Sequence, residues 1–189
     1  KHPRAKVLAG LDIDVSGIKS IEFINFTKFL YKNKLNRLKI LIIGPRNESE
    51  IFSFASAGYL IRNISAIDLF SYSPLIKIMD MHNLEFENNY FDIVYAGWVI
   101  AYSDNRLRAI SEMDRVTKKG GLITLTAGIS SKTNDEIVEE RGYMIGSKQR
   151  INNLDDLNNL FNSSSGRVIY QNQIGRDNNA IISCFKKSF

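Results

Sequence analysis

Apolar positions change their rhythm several times along the chain, and each change marks an element. Residues 38–44, Leu-Lys-Ile-Leu-Ile-Ile-Gly, form a nearly continuous apolar run closed by glycine, the pattern of a strand buried on both faces. Asn47 then precedes Glu48, Ser49 and Glu50, which predicts an N-cap and an acidic first turn for a helix reaching Ala57 and stopping at Gly58. Ile64–Asp68 and Ile76–Asp80 read as second and third strands, each ending in aspartate, and Phe91–Gly97 reads as a fourth. Ser103 or Asp104 is expected to cap a helix through Val116, with Leu107, Ile110 and Met113 on one side. Lys119-Gly120-Gly121 reads as a turn before a fifth strand, Leu122–Thr126.

The flanks are less regular. Residues 1–17 read as irregular, and residues 18–34 as an amphipathic helix carrying Ile18, Ile21, Ile24, Phe26, Phe29 and Leu30. After a helix near Leu154–Phe161, strand candidates Arg167–Asn172 and Ala180–Phe185 enclose the polar turn Gly175–Asn179, which suggests an antiparallel hairpin at one sheet edge. Strands alternating with helices predict a doubly wound α/β fold, a mainly parallel sheet with helices on both faces. The expected organisation is an N-terminal segment, 1–36, followed by a Rossmann-like domain, 37–189.

Composition adds exclusions. The chain has 189 residues, 44% hydrophobic and 24% charged, which suits one domain with a full core. No apolar run is long enough to span a bilayer. One cysteine, Cys184, excludes an internal disulfide framework and any cysteine-based zinc cluster. A reducing, cytoplasmic compartment is the default expectation. The net charge is +5, but basic residues are scattered among acidic ones, with Lys118-Lys119 and Lys186-Lys187 the adjacent lysine pairs. That distribution reads as a solvated surface and argues against nucleic acid as the partner.

The segment Asp80-Met81-His82-Asn83-Leu84-Glu85-Phe86, with Phe91-Asp92-Ile93-Val94 and then Glu112–Leu122, resembles the signature of the class I S-adenosylmethionine-dependent methyltransferase family, with Lys119 where proline is usual. The resemblance covers roughly residues 38–186. It implies a seven-stranded-type sheet with a terminal antiparallel strand inserted, S-adenosylmethionine as cofactor, and methyl transfer as the activity. It also implies a ribose-binding role for Asp68 with Leu69 beside it, and an adenine-side role for Asp80 and Met81. The glycine loop departs from the family pattern. Where an acidic residue and three glycines are usual, this chain has Ile42, Gly44, Arg46 and Glu48, in the loop Gly44-Pro45-Arg46-Asn47-Glu48. Arg46 could pair with the methionyl carboxylate, and Glu48 or Glu50 with its ammonium; the alternative is that the glutamates only complement the helix dipole.

Methyl transfer from a sulfonium needs in-line approach of a nucleophile, and a base only if the acceptor must lose a proton. Gly97 and Trp98 follow the fourth strand, where Trp98 could wall the acceptor site and Tyr102 hydrogen-bond the acceptor. His82 could be a general base or an adenine-side contact, against the plainer reading of a turn histidine. No Asn-Pro-Pro-Tyr or Asp-Pro-Pro-Tyr, the signature of those members of the resembled family that methylate amino groups of adenine or glutamine, follows the fourth strand, so the resemblance implies a small-molecule, sugar or lipid-linked acceptor. The other readings are a cofactor-impaired binding or assembly module, and a dehydrogenase, which lacks its Gly-x-Gly-x-x-Gly loop here. Asp80 follows Asp68 by only 12 positions, and Phe70-Ser71-Tyr72-Ser73-Pro74 between the second and third strands is too short and turn-like for a crossover helix. One sheet face should therefore be bare there, or covered by the N-terminal segment, a partner domain or a second copy.

Overall fold

The computed structural model describes residues 16–45, 47–130, 132–142, 150–161, 166–174 and 179–189. Its seven strands are β1 (Ile40–Ile43), β2 (Ile64–Asp68), β3 (Lys77–Ile78), β4 (Phe91–Gly97), β5 (Thr117–Gly128), β6 (Gly166–Ile174) and β7 (Ala180–Lys187). They form one sheet in the order β3-β2-β1-β4-β5-β7-β6. Strands β1 to β5 run parallel, while β7 lies antiparallel between β5 and β6. The closing hairpin expected from sequence is thus an inserted strand plus an edge strand. The helices are α1 (Ser16–Tyr31), α2 (Glu48–Ser56), α3 (Arg106–Val116), α4 (Asn134–Arg141) and α5 (Leu154–Asn158).

The apolar run of β1 explains why the sheet is covered twice. All four of its residues are buried. Side chains alternate between the faces of a strand, so Leu41 and Ile43 enter one cluster with Val94, Ile123, Met113 of α3 and Leu157 of α5. Ile40 and Ile42 enter the other, with Ile93, Tyr95, Phe23 of α1 and Phe54 of α2. Tyr95 stacks on Phe23 at 5.2 Å between ring centroids and meets Phe54 edge-on at 5.5 Å.

Several boundaries differ from the sequence reading for local reasons. The first helix stops at Tyr31, where the chain tightens into a 3-10 segment, Lys32–Arg37. Helix α3 is capped by neither Ser103 nor Asp104, but by Asn105, whose side chain accepts from Arg108 N at 3.1 Å. Lys119-Gly120-Gly121 lies inside β5, whose ladder to β4 shifts register between Phe91 and Ile93. Gly120 takes φ +73, a left-handed value that glycine adopts without strain. The fifth helix is a short turn and a half, Leu154–Asn158. Helix α4 was not expected; it is polar, and is started by Thr133 and Glu136, which cap one another. Residues 1–15, and most of the turn 175–179, lie outside the described residues.

The short β2–β3 connection contains no helix. Ser71 and Ser73 hold it instead, their hydroxyls accepting from Ser73 N at 3.0 Å and Leu75 N at 3.1 Å. Ile76 and Met79 are buried, but Leu69, Phe70, Tyr72, Leu75 and Ile78 are exposed.

Candidate cofactor cleft

In a doubly wound sheet, ligands sit over the carboxyl ends of the strands where the connections diverge. Here β1 pairs with β2 through Ile43 and Ile67, and with β4 through Ile43 and Ala96. The next residues along, Gly44, Asp68 and Gly97, therefore lie side by side at that edge. The structure brings these three sequence-predicted positions together.

Gly44 N donates to Ile67 O at 2.8 Å, and its φ is +78. A Cβ added there would stand 2.7 Å from Val99 Cβ. The surviving glycine is thus required by close packing of the segment after β4, as well as by its backbone angle. Pro45 behind it is buried. Arg46 lies outside the described residues. Asn47 caps α2, accepting from Ser49 N at 3.0 Å. Glu48 is half-buried, and a hydrogen bond from the Ser73 hydroxyl, more than any other contact, holds its carboxyl below the usual glutamate range. Glu50 is buried against Tyr95, which burial first and the Glu50 charge second hold in the phenol form.

Asp68 ends β2, half-buried, and accepts from Phe70 N at a long 3.4 Å. Its carboxylate therefore retains acceptor capacity. Leu69 beside it is 67% exposed. Asp80 is more engaged. Its Oδ1 accepts from His82 N at 2.8 Å and lies 2.6 Å from His82 Nδ1. The backbone bond from His82 is the main cause of its depressed pKa. On the far side of the ring, His82 Nε2 lies 2.7 Å from the hydroxyl of Ser103, itself buried. With Nδ1–H donating to Asp80, Nε2 accepts the Ser103 proton. Arg108 Nε completes the clasp by donating to His82 O at 3.0 Å. Met81 points the other way, 7% exposed among the core side chains.

After β4, a Cβ on Gly97 would meet Tyr95 Cε1 at 2.8 Å, so the Tyr95 ring folds beneath the cleft edge. Trp98 follows with φ +66, an uncommon angle for a bulky side chain. Two acceptors on Thr126 hold its N–H, the carbonyl at 3.1 Å and Oγ1 at 2.8 Å, and its ring lies over Gly128. Such strain is retained where surrounding contacts enforce it, often at functional sites. Tyr102 lies on a 3-10 turn, Ile100–Tyr102, 53% exposed.

Sequence reasoning missed Ser103 and Val99 as parts of this region. Ser103 had been read only as a helix cap; its bond to His82 spans 21 residues and leaves no local pattern. Asp80 Oδ2 takes no hydrogen bond among the described residues.

A sheet of this order, with β7 reversed between β5 and β6, defines the class I methyltransferase architecture among doubly wound folds. A family model described as a methyltransferase domain matches residues 62–125. Solved structures agree at the level of fold. An S-adenosylmethionine-dependent methyltransferase from Methanosarcina mazei superposes with a TM-score of 0.64 at 17% identity, over 85% of this chain and 97% of that one. One from Mesorhizobium loti gives 0.65 at 8% identity, over 89% and 98%. A chain from the complex of the Haloferax volcanii Trm112 methyltransferase activator with its methyltransferase gives 0.65 at 11% identity, over 92% and 98%. No curated protein sequence matches the chain. The chain therefore has the class I methyltransferase fold.

Proposed function

We propose that the protein transfers the methyl group of S-adenosylmethionine to a small-molecule, sugar or lipid-linked acceptor. The observation that carries this reading is the placement of Asp68, with acceptor capacity to spare, at the β2 tip beside Gly44 and Gly97. An aspartate there accepts from both ribose hydroxyls. Asp80 Oδ2 would take the adenine amine, with Leu69 against the base and the backbone of Met81 at its edge. The clasp of Asp80, His82 and Ser103 supports a positioning role for His82, since both ring nitrogens already have partners. Glu48 or Glu50, and Arg46, remain the candidates for the amino-acid end. The bound cofactor supplies an electrophilic methyl on sulfur. The chain's own part is to orient the acceptor, through Trp98 and Tyr102, and to exclude water.

A second reading has its own observation. With Val99 packed on Gly44 and the other loop glycines replaced, the domain would serve as a cofactor-impaired binding or assembly module. Titration with S-adenosylhomocysteine separates the two. The expected result is saturable micromolar binding with a matching thermal stabilisation. Asp68→Ala should weaken that binding by about 1.5–3 kcal/mol, the range for a hydrogen bond to a charged group. No binding at millimolar ligand in folded protein would leave the module reading standing.

A further inference from the structure

The lysine pairs that stand far apart in sequence come together at the amino-terminal end of the parallel sheet, opposite the cleft. Lys118-Lys119 follow Thr117 at the start of β5, and antiparallel β7 ends with Lys186-Lys187. Asp92 joins this group to β1: its Oδ1 holds Lys118 Nζ at 2.7 Å, while its Oδ2 accepts from Lys39 N at 2.8 Å. Lys39 Nζ lies 3.9 Å above the Tyr90 ring. On the other flank, the Phe189 ring covers Gly120, and Lys187 Nζ donates to Thr117 O at 3.0 Å. The 3-10 segment before β1 adds Lys32, Lys34 and Arg37, all exposed.

The acids at this end are largely consumed, Asp92 by Lys118 and Asp114 by Lys187. Glu87 remains as a local anion. Lys32, Lys34, Arg37, Lys119 and Arg167 make no ion pair with a described residue. By contrast Glu48, Asp68 and Asp80 line the cleft end.

The same end is apolar as well as basic. The last turn of α1 presents Phe29, 78% exposed, and Leu30, 43% exposed. They adjoin a concavity of about 350 Å³ lined by Leu30, Tyr31, Lys32, Asn33 and Lys34. Cations interleaved with an exposed aromatic and an aliphatic side chain are what an anionic bilayer surface selects: lysines reach lipid phosphates while the rings enter the headgroup boundary. Nucleic acid would call instead for arginine forks and a stacking groove, and neither occurs here among the described residues.

We propose that this end docks the protein on an anionic phospholipid surface, leaving the cofactor cleft facing the aqueous side. The test uses the full chain and sedimentation with vesicles of phosphatidylcholine alone or with one third phosphatidylglycerol. Wild-type protein should sediment with the anionic vesicles at low salt, release at high salt, and ignore the neutral ones. Each lysine near such a surface contributes roughly five-fold in binding. The triple variant Lys32→Gln, Lys34→Gln, Lys119→Gln should therefore bind about 100-fold more weakly, with an unchanged melting curve because all three side chains are exposed. Phe29→Ser, which leaves the charge alone, should lose several-fold. The proposal is overturned if wild type ignores anionic vesicles, or if Phe29→Ser binds them as wild type does. Binding of an oligonucleotide but not of vesicles would overturn it in favour of nucleic acid.

Discussion

The two edges of the sheet are built on opposite principles. At one edge, β6 and β7 are 9 and 8 residues long and paired almost throughout, with one irregularity between Val168 and Tyr170. Six consecutive residues of β7, Ala180–Phe185, are buried. Helix α1 reaches over this edge through Phe26, stacked on Tyr170 at 4.5 Å, and Phe185 stacks on Phe161 at 3.6 Å. At the other edge, β3 is two residues long and both are exposed. Among the described residues, no helix lies between β2 and β3. Beside the buried Ile76, Met79 and Leu84, that flank carries a polar clasp: Glu112 of α3, 5% exposed, accepts from Leu84 N at 2.9 Å. Arg115 pairs with Glu112 at 2.8 Å and donates to Leu84 O at 2.6 Å and Phe86 O at 2.8 Å. One edge rests on apolar area along two long strands, the other on a few buried apolar side chains joined by a clasp of directional bonds.

The contrast can be broken most severely at the apolar edge. Phe185→Ala removes a buried aromatic from β7 and should cost about 3–5 kcal/mol, as large-to-small core changes do. Denaturant unfolding measures it, and a loss under 1 kcal/mol would mean that this edge is not held by packing.

The clasp should yield less, and in a pH-dependent way. Hydrogen bonding from Arg115, ahead of the Leu84 amide, holds the Glu112 carboxyl below the usual glutamate value. A carboxyl with a depressed folded pKa stabilises fully above its unfolded value, and the contribution disappears as pH falls through the folded one. Glu112→Gln should therefore destabilise by about 1–3 kcal/mol at neutral pH. The difference from wild type should shrink as the solution is acidified below the ordinary glutamate range. A difference that stays constant to low pH would show the clasp to be a matter of shape rather than charge.

How legible each region was follows from the same contrast. Strand β4 was bounded correctly because its burial is written locally, as Phe91-Asp92-Ile93-Val94-Tyr95-Ala96-Gly97. The lack of a crossover helix between β2 and β3 could also be foreseen, because Phe70-Ser71-Tyr72-Ser73-Pro74 is too short and turn-like for one. Helix α4 was missed because it has no apolar stripe; its one local signal is Thr133 three residues before Glu136, the spacing of a reciprocal cap. The approach of the two lysine pairs has no local signal, since the antiparallel pairing of β7 with β5, not sequence proximity, sets Lys186 opposite Leu122. Ser103 was invisible as a partner of His82 for a like reason. Asp68 and Gly44 were legible because strand tips carry their own punctuation.

The smallest expected effect lies at β3 itself. Ile78 is 65% exposed on a strand bonded to the sheet through one neighbour, Ile67 and Asp68 of β2. Ile78→Thr keeps the β-branch that suits an extended backbone and removes only exposed apolar surface. Its effect on the isolated chain should stay within about 0.5 kcal/mol, the usual range for surface substitutions. A larger loss in dilute protein would mean that the exposed side chain is buried in solution. The dependence of that loss on protein concentration would then tell why. A loss that fades on dilution places a second copy over the edge, whereas a constant loss places another part of the same chain there.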